Sequence, residues 1–206
     1  SIYEANDYIG GHTHTHHIDI DNNNYAVDTG FIVYNERTYP NFIKLLDQLG
    51  VERQLSTMGF SVKSVNEDYE YSGESLNTLF AKRSNIFRVG FLRMLYEMYK
   101  FGKEADASGA GLDSSITLGQ YLKSKNYSDE FIHYFITPMG AAIWSTPANK
   151  VLDMPAYFFI KFFYNHGMLE IVNRPKWWVI KNGSSQYIKK IIKGFEKKIH
   201  LSSAVA

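Results

Sequence analysis

Alternating polar and apolar positions predict short strands in several parts of the chain. Positions 13–20 follow a period of two, and positions 25–28 form a second short strand-like segment. The Asp-Asn-Asn-Asn run at 21–24 between them is typical of a hairpin turn, so we predict a β-hairpin. Further strands are predicted at 60–65, 69–71, 177–180 and 199–201.

Apolar residues at helical spacing predict the helices. Those between Phe42 and Leu49 indicate a helix over 40–49, which Gly50 ends. Further helices are predicted around 87–99, after the N-cap residues Thr117 and Ser128, with Pro155 in a first turn, and over 187–195. The stretch 105–115 is rich in small residues and is predicted to be a flexible connection. The chain therefore mixes strands and helices, as α+β proteins do.

Composition and charge exclude several classes of function. With 22 basic and 21 acidic residues the formal charge is +1, which disfavours a nucleic-acid partner. The chain has no cysteine, which excludes disulfides and thiolate sites and agrees with a cytoplasmic location. No apolar stretch approaches the ~20 residues of a membrane-spanning helix.

Aromatic residues are unusually abundant and concentrate in the second half of the chain. They make up 16% of the residues, with 15 Tyr and 14 Phe, and many lie between Phe131 and Trp178. Such density is typical of a large core, but it also suits a flat-sided pocket. The sequence leaves both interpretations open.

The acidic residue near the start of the chain is a candidate nucleotide ligand. Glu4 follows the apolar pair Ile2 and Tyr3 and precedes a loop that ends in Gly10 and Gly11. In dinucleotide-binding βαβ units, a carboxylate at a strand end accepts hydrogen bonds from ribose hydroxyls. A glutamate at a strand end is also commonly a solvated surface residue, so this feature alone is weak.

The run from Tyr3 to His12 resembles the signature of the flavin amine oxidases, in which an acidic residue is followed by paired glycines. The resemblance implies that Gly10 and Gly11 let the backbone approach the pyrophosphate of FAD. His12 stands where the family usually has arginine, and a neutral imidazole donates a single hydrogen bond.

Downstream segments strengthen this resemblance. Residues 25–42 are similar to the family's Asp-x-Gly turn beside the isoalloxazine ring. The runs 10–15, 28–42, 138–144 and 162–167 resemble a bacterial subgroup of predicted NAD/FAD-binding amine-oxidase-like proteins. The implied cofactor-binding residues are Glu4, Gly10, Gly11, His12, Thr13, Asp28, Thr29, Gly30, Phe31 and, through an adenine contact of its backbone, Val205.

The resemblance implies an α/β enzyme of which this chain is an incomplete fragment. Residues 1–56 are expected to form part of a Rossmann-like FAD-binding domain, 57–180 an inserted substrate domain of strands and helices, and 181–206 a return to the first domain. The family's Gly-x-Gly-x-x-Gly turn is expected ~20 residues upstream of Glu4. The fragment alone is therefore expected to be inactive and to bind FAD poorly.

The implied activity is oxidation of a C–H or C–N bond in an apolar or amine small molecule, with hydride transfer to flavin. Desaturation or isomerisation of a lipid-like substrate is the alternative within the superfamily. Trp144, Phe163 and Tyr164 are candidates to face the flavin or substrate, and His166 is a candidate base. For each of them, packing in a core is the competing interpretation.

A cluster of histidines gives a rival of a different class. If 13–20 is a strand, His12, His14 and His16 lie on one face, and such spacing could hold zinc or nickel. A non-enzymatic histidine-rich metal-binding domain is therefore an alternative. We nevertheless predict no metal site, because the same histidines belong to the flavoprotein resemblance.

Overall fold

The computed structural model describes residues 1–65, 67–108, 112–168 and 175–205. The chain divides into two compact units, Ser1–Thr57 with Pro175–Ala206 (unit 1) and Met58–Arg174 (unit 2). The return to unit 1 thus lies before the strand at 177–180, whereas the sequence prediction put the boundary after it. This strand lies in unit 1 because it pairs with Arg53–Ser56.

The described residues form nine strands and nine α-helices. The strands are β1 Ile2–Tyr3, β2 Thr15–Ile20, β3 Asn23–Asp28, β4 Tyr34–Asn35, β5 Arg53–Ser56, β6 Ser61–Lys63, β7 Glu70–Ser72, β8 Trp177–Ile180 and β9 Ile199–His200. The α-helices are α1 Pro40–Gln48, α2 Leu76–Leu79, α3 Val89–Ser108, α4 Leu118–Ser124, α5 Asp129–Phe131, α6 Thr137–Trp144, α7 Ala148–Val151, α8 Ala156–Asn165 and α9 Ser185–Ile191. A π-helix, Ile132–Ile136, joins α5 to α6, and 3₁₀-helices occupy Arg83–Phe87 and Glu196–Lys198.

Unit 1 contains two small sheets and a hairpin. In one sheet β1 and β9 are parallel, with Ile2 opposite Ile199. In the other, β8 lies between β4 and β5 and is antiparallel to both. The apolar face of α1 packs onto this second sheet, so that Tyr34, Leu46 and Ile180 are buried together.

The predicted β-hairpin is confirmed as β2 and β3. Its turn residues Asp21 and Asn22 both have positive φ, 50° and 62°. A two-residue turn with this geometry matches the twist of the paired strands, and asparagine and aspartate tolerate it better than most residues. Thr15 and Asp28 pair at the open end of the hairpin, away from the turn.

Unit 2 is mostly helical, and its helix starts follow the predicted caps. Thr117 accepts a hydrogen bond from the backbone N–H of Gln120, and Ser128 accepts one from that of Phe131. The buried carboxylate of Glu97 in α3 accepts the backbone N–H of Ser128 at 3.2 Å. Pro155 is the N-cap of α8, one position before the first turn in which the sequence analysis put it.

Some predicted boundaries were wrong, and two strands were missed. Helix α3 continues to Ser108, so the predicted connection at 105–115 begins too early, and residues 109–111 lie outside the described residues. The last helix ends at Ile191 and not at 195. The strands β4 and β5 were not predicted, because each is short and gains its stability by pairing with β8.

Aromatic rings fill the core of unit 2. In α8, Phe159 and Phe163 are fully buried and stack with ring centroids 4.3 Å apart. The Tyr71 hydroxyl donates a hydrogen bond to the carbonyl of Tyr134 in the π-helix at 2.8 Å. Burial raises the pKa of Tyr71, so this hydroxyl keeps its proton at neutral pH and remains a donor.

None of the helices in the described ranges combines the length and the apolar character that crossing a bilayer requires.

The buried stack in α8 leads to a stability prediction. We expect Phe163→Ala to lower the free energy of unfolding by about 3–5 kcal/mol, because it leaves a cavity in the aromatic core. The adjacent Tyr164 is 52% exposed, so Tyr164→Ala should cost about 1 kcal/mol or less. Urea unfolding of both variants measures the difference, and equal losses would contradict this description of the core.

Candidate functional site

Glu4 lies at the carboxyl end of β1, beside the end of the parallel strand β9. Its backbone N–H donates to the carbonyl of His200 at 2.9 Å. Its Oε1 accepts the backbone N–H of Asn6 at 2.9 Å, and the described residues supply no donor to Oε2. Ligands of parallel sheets bind at the carboxyl ends of the strands, so the position and the available oxygen both suit a ribose hydroxyl.

The segment after β9 returns alongside Glu4. The backbone N–H of Ser203 donates to the carbonyl of Glu4, and that of Ser202 donates to the carbonyl of Asn6, both at 2.8 Å. Val205, two residues further on, is 79% exposed. Glu4 is predicted to bind the ribose, and the backbone near Val205 is predicted to contact the adenine. These segments come from opposite ends of the chain, and the hydrogen bonds place them side by side.

The glycine loop, residues 10–13, is a tight turn that requires its first glycine. Gly10 has φ +131°, and a Cβ there would collide with the carbonyl oxygen of Thr13. The turn is closed by a 2.9 Å hydrogen bond from the backbone N–H of Thr13 to the carbonyl of Gly10. Gly11 has φ +57°, and no atom lies within 4 Å of the position that its Cβ would occupy.

The glycine loop presents unused donors. Among the described residues, no acceptor bonds the backbone N–H of Gly10, Gly11 or His12. Successive backbone N–H groups of this kind form concave sites that bind anions such as phosphate. The open space at Gly11 would let a pyrophosphate approach closely. The loop therefore fits the group that the sequence analysis assigned to it.

The segment after the hairpin lies against this loop. The backbone N–H of Thr29 donates to the carbonyl of His14 at 3.0 Å. A Cβ on Gly30 would collide with the carbonyl oxygen of His12, so this position requires glycine. Phe31 has φ +49°, and its ring packs edge-on against Phe42 of α1 with centroids 5.1 Å apart.

The carboxylate of Asp28 accepts hydrogen bonds from other residues of unit 1. Its two carboxylate oxygens accept the backbone N–H of Ser184, each at 2.9 Å, and Oδ1 also accepts the Ser184 hydroxyl at 2.8 Å. The Thr15 hydroxyl donates to Oδ1 at 2.5 Å. These donors occupy most of the lone pairs of the carboxylate.

The start of α9 was not recognised as part of the site. The sequence analysis gave no role in the site to the serines before this helix, where serine commonly caps its own helix. Ser184 makes no such cap and donates to Asp28 instead. Tyr187, in the first turn of α9, shares a 2.5 Å hydrogen bond with the buried Thr13 of the glycine loop. No local sequence pattern signals either contact.

The histidines form a ring stack with a tyrosine. His14 stacks on Tyr8 with ring centroids 3.9 Å apart, and the ring centroid of His16 lies 4.1 Å from that of His14. Within the described ranges, no three histidine, aspartate or glutamate side chains are grouped closely enough to hold a metal ion. The metal-binding alternative therefore gains no support from this part of the chain.

Trp144, a candidate to face the flavin or substrate, and His166, the candidate base, lie in unit 2. Trp144 packs on the aromatic core, with its ring centroid 4.8 Å from that of Phe162. The imidazole of His166 stacks on Phe162 at 3.9 Å, and its Nδ1 donates to the carbonyl of the same residue at 2.9 Å. Both geometries favour the packing interpretation, and neither residue gains a demonstrated chemical role.

Taken together, unit 1 offers three features that one elongated anion-containing ligand would use. They are a carboxylate oxygen at the end of a parallel strand, a glycine turn with unused N–H donors, and a backbone segment that returns beside the carboxylate. These features are suited to binding and orienting a ligand, and among the described residues they include no acid, base or nucleophile that the geometry activates. Chemistry at such a site would come from the bound group.

Solved structures of two amine oxidases share this fold. Wild-type putrescine oxidase bound to putrescine matches with a TM-score of 0.60 and 18% identity, over 97% of this chain and 44% of that one. Cyclohexylamine oxidase from Brevibacterium oxydans IH-35A matches with a TM-score of 0.64 and 16% identity, over 97% and 45%. The chain thus spans less than half the length of these structures. The expected mixed fold, as part of a larger one, is confirmed.

A match to a family model covers the whole chain. The model of the flavin-containing amine oxidoreductases matches residues 1–206, while no curated protein matches. The match confirms the resemblance stated from the sequence and the expected class of cofactor. The chain therefore belongs to the family of flavin-containing amine oxidoreductases.

Proposed function

We propose that unit 1 supplies the ribose-binding and pyrophosphate-binding parts of an FAD site in an oxidoreductase. The free Oε2 of Glu4, beside the end of a parallel strand pair, carries this proposal. Glu4 would accept hydrogen bonds from the adenosine ribose, and the N–H groups of the glycine loop would donate to the pyrophosphate. The backbone near Val205 would contact the adenine.

The remaining candidates of unit 1 would shape the flavin end of the site. Thr29 and Gly30 bring the backbone after β3 against the glycine loop, which supports a place for them next to the cofactor. His12 is exposed and would offer one hydrogen bond to a phosphate where the family usually has arginine. When bound, the flavin supplies the chemistry by accepting a hydride or its equivalent from a substrate C–H bond.

We further propose an amine, or another small molecule with an apolar body, as the substrate. The partly exposed aromatic rings of unit 2, among them Phe158 and Tyr164, would offer an apolar surface to such a molecule. The putrescine and cyclohexylamine oxidases, which share the fold, act on amines by name. Desaturation or isomerisation of a lipid-like substrate is the second candidate, but no contact among the described residues favours it. A cytoplasmic location remains a prediction from the lack of cysteine.

The absorbance spectrum of the purified protein tests the proposal. Because the chain spans 44% of the putrescine oxidase chain, it should be expressed together with the sequence that flanks it in its gene. We expect a yellow protein with the visible bands of an oxidised flavin, and a cofactor that is released as FAD on denaturation. The 206-residue chain alone should bind FAD weakly. A colourless extended protein that does not take up added FAD would overturn the proposal.

Glu4→Gln separates the ribose contact from the local structural role of Glu4. The amide oxygen of glutamine can still accept the Asn6 N–H, so the loop should keep its shape, while the charged acceptor for the ribose is lost. We expect the extended protein to bind FAD about tenfold to hundredfold more weakly. Fluorescence titration of the apoprotein with FAD measures this change.

Glu196→Gln is the matched control for this titration. Glu196 also lies in unit 1, and its carboxylate accepts the backbone N–H of the residue two positions away, Gly194, at 2.9 Å, which an amide oxygen can equally accept. FAD affinity should not change in this variant. Equal weakening in both variants, or none in Glu4→Gln, would remove Glu4 from the site.

A further inference from the structure

The open end of the hairpin is joined to the start of α9 by a closed set of hydrogen bonds. Thr15 and Asp28 face each other across β2 and β3. Asp28 accepts the N–H and the hydroxyl of Ser184, while the Thr15 hydroxyl donates to Asp28 and accepts the N–H of Ser185 at 2.9 Å. Two strands and one helix therefore meet at a single carboxylate.

The backbone conformation just before α9 is required for these hydrogen bonds. Gly183 has φ +91°, and a Cβ there would collide with the methyl group of Thr15. A glycine is therefore needed for the helix start to reach the hairpin. The negative charge of Asp28 beside Ser184, the N-cap residue of α9, is also favourable in the field of the helix dipole.

The glycine loop is attached to the same helix. Thr13 closes the loop, and its hydroxyl shares the 2.5 Å hydrogen bond with Tyr187. Thr13 is two residues from Thr15, so the loop is fixed to α9 at its own end and again through the hairpin. The hydrogen bond from the backbone N–H of Thr29 to the carbonyl of His14 fixes the turn that follows Asp28.

We propose that Asp28 is a positioning residue, which holds the glycine loop in its binding conformation through the first turn of α9 and does not itself contact the cofactor. This inference rests on the proposed function, because the loop is the proposed pyrophosphate site. It reassigns a residue that the resemblance alone places among the cofactor ligands. The hydrogen bonds that this carboxylate already accepts from Ser184 and Thr15 carry the reassignment.

The test compares Asp28→Asn with Asp19→Asn. Asp19 lies on the same hairpin and accepts one hydrogen bond, from Asn24 Nδ2 at 2.8 Å, which an asparagine oxygen can still accept. In Asp28→Asn, an NH₂ group takes the place of one of the two oxygens that share the Ser184 N–H, and the charge of the acceptor is lost. Amide hydrogen exchange at Ser184 should accelerate about tenfold or more, and the NMR signals of the glycine loop should shift. Asp19→Asn should change neither.

Affinity for FAD in the extended protein distinguishes positioning from the other roles. Under conditions where the variant is folded, we expect Asp28→Asn to weaken FAD binding about tenfold or more. Lower stability with unchanged affinity would reduce Asp28 to a structural residue and overturn the proposal. Weaker binding with unchanged glycine-loop signals would indicate direct contact and overturn it as well.

Thr15 provides a second pair of variants in case Asp28→Asn does not fold. Thr15→Val keeps the shape of the side chain but removes the hydroxyl that accepts the Ser185 N–H, so it should accelerate exchange at Ser185 and weaken FAD binding as Asp28→Asn does. Thr15→Ser retains the hydroxyl and should restore both. Failure of this rescue would contradict the proposal. If the wild-type extended protein binds no FAD, the proposed function fails, and the exchange and NMR measurements alone decide whether Asp28 positions the loop.

Discussion

The geometry of unit 1 depends most on the hydrogen bonds that the carboxylate of Asp28 accepts. It joins the end of the β-hairpin to the first turn of α9 across 156 positions of sequence. A carboxylate that accepts several hydrogen bonds holds its partners more firmly than a neutral acceptor would, because charge-assisted bonds are roughly twice as strong. The glycine loop and the turn at Gly30 are both next to this contact between the hairpin and α9, so their backbone conformations depend on it.

The sequence predicted what is determined locally. The hairpin could be recognised because Asp21 and Asn22 are suited to positive φ, and the helix starts because Thr117 and Ser128 cap them. The glycine loop could be located because a glycine with positive φ at position 10 is a local requirement. Family membership could be recognised because several such motifs occur in a fixed order, and the match over the whole chain confirms it.

What the sequence could not predict depends on residues that are distant in the chain. Ser184 looks like an ordinary helix cap, and its role as a donor to Asp28 emerges only when the hairpin and α9 are brought together. The choice between core and pocket for the aromatic residues was open for the same reason. Burial settles it for Phe163 as core, while Tyr164, its neighbour in α8, is half exposed.

The central claim is that Glu4 and the glycine loop bind adjacent parts of one dinucleotide, the adenosine ribose and the pyrophosphate. A crystal structure of the extended protein with FAD tests it most directly. The claim predicts a Glu4 carboxylate oxygen within about 3 Å of a ribose hydroxyl, and the pyrophosphate against the N–H groups of residues 10–12. A dinucleotide bound elsewhere, with Glu4 facing solvent, would contradict it.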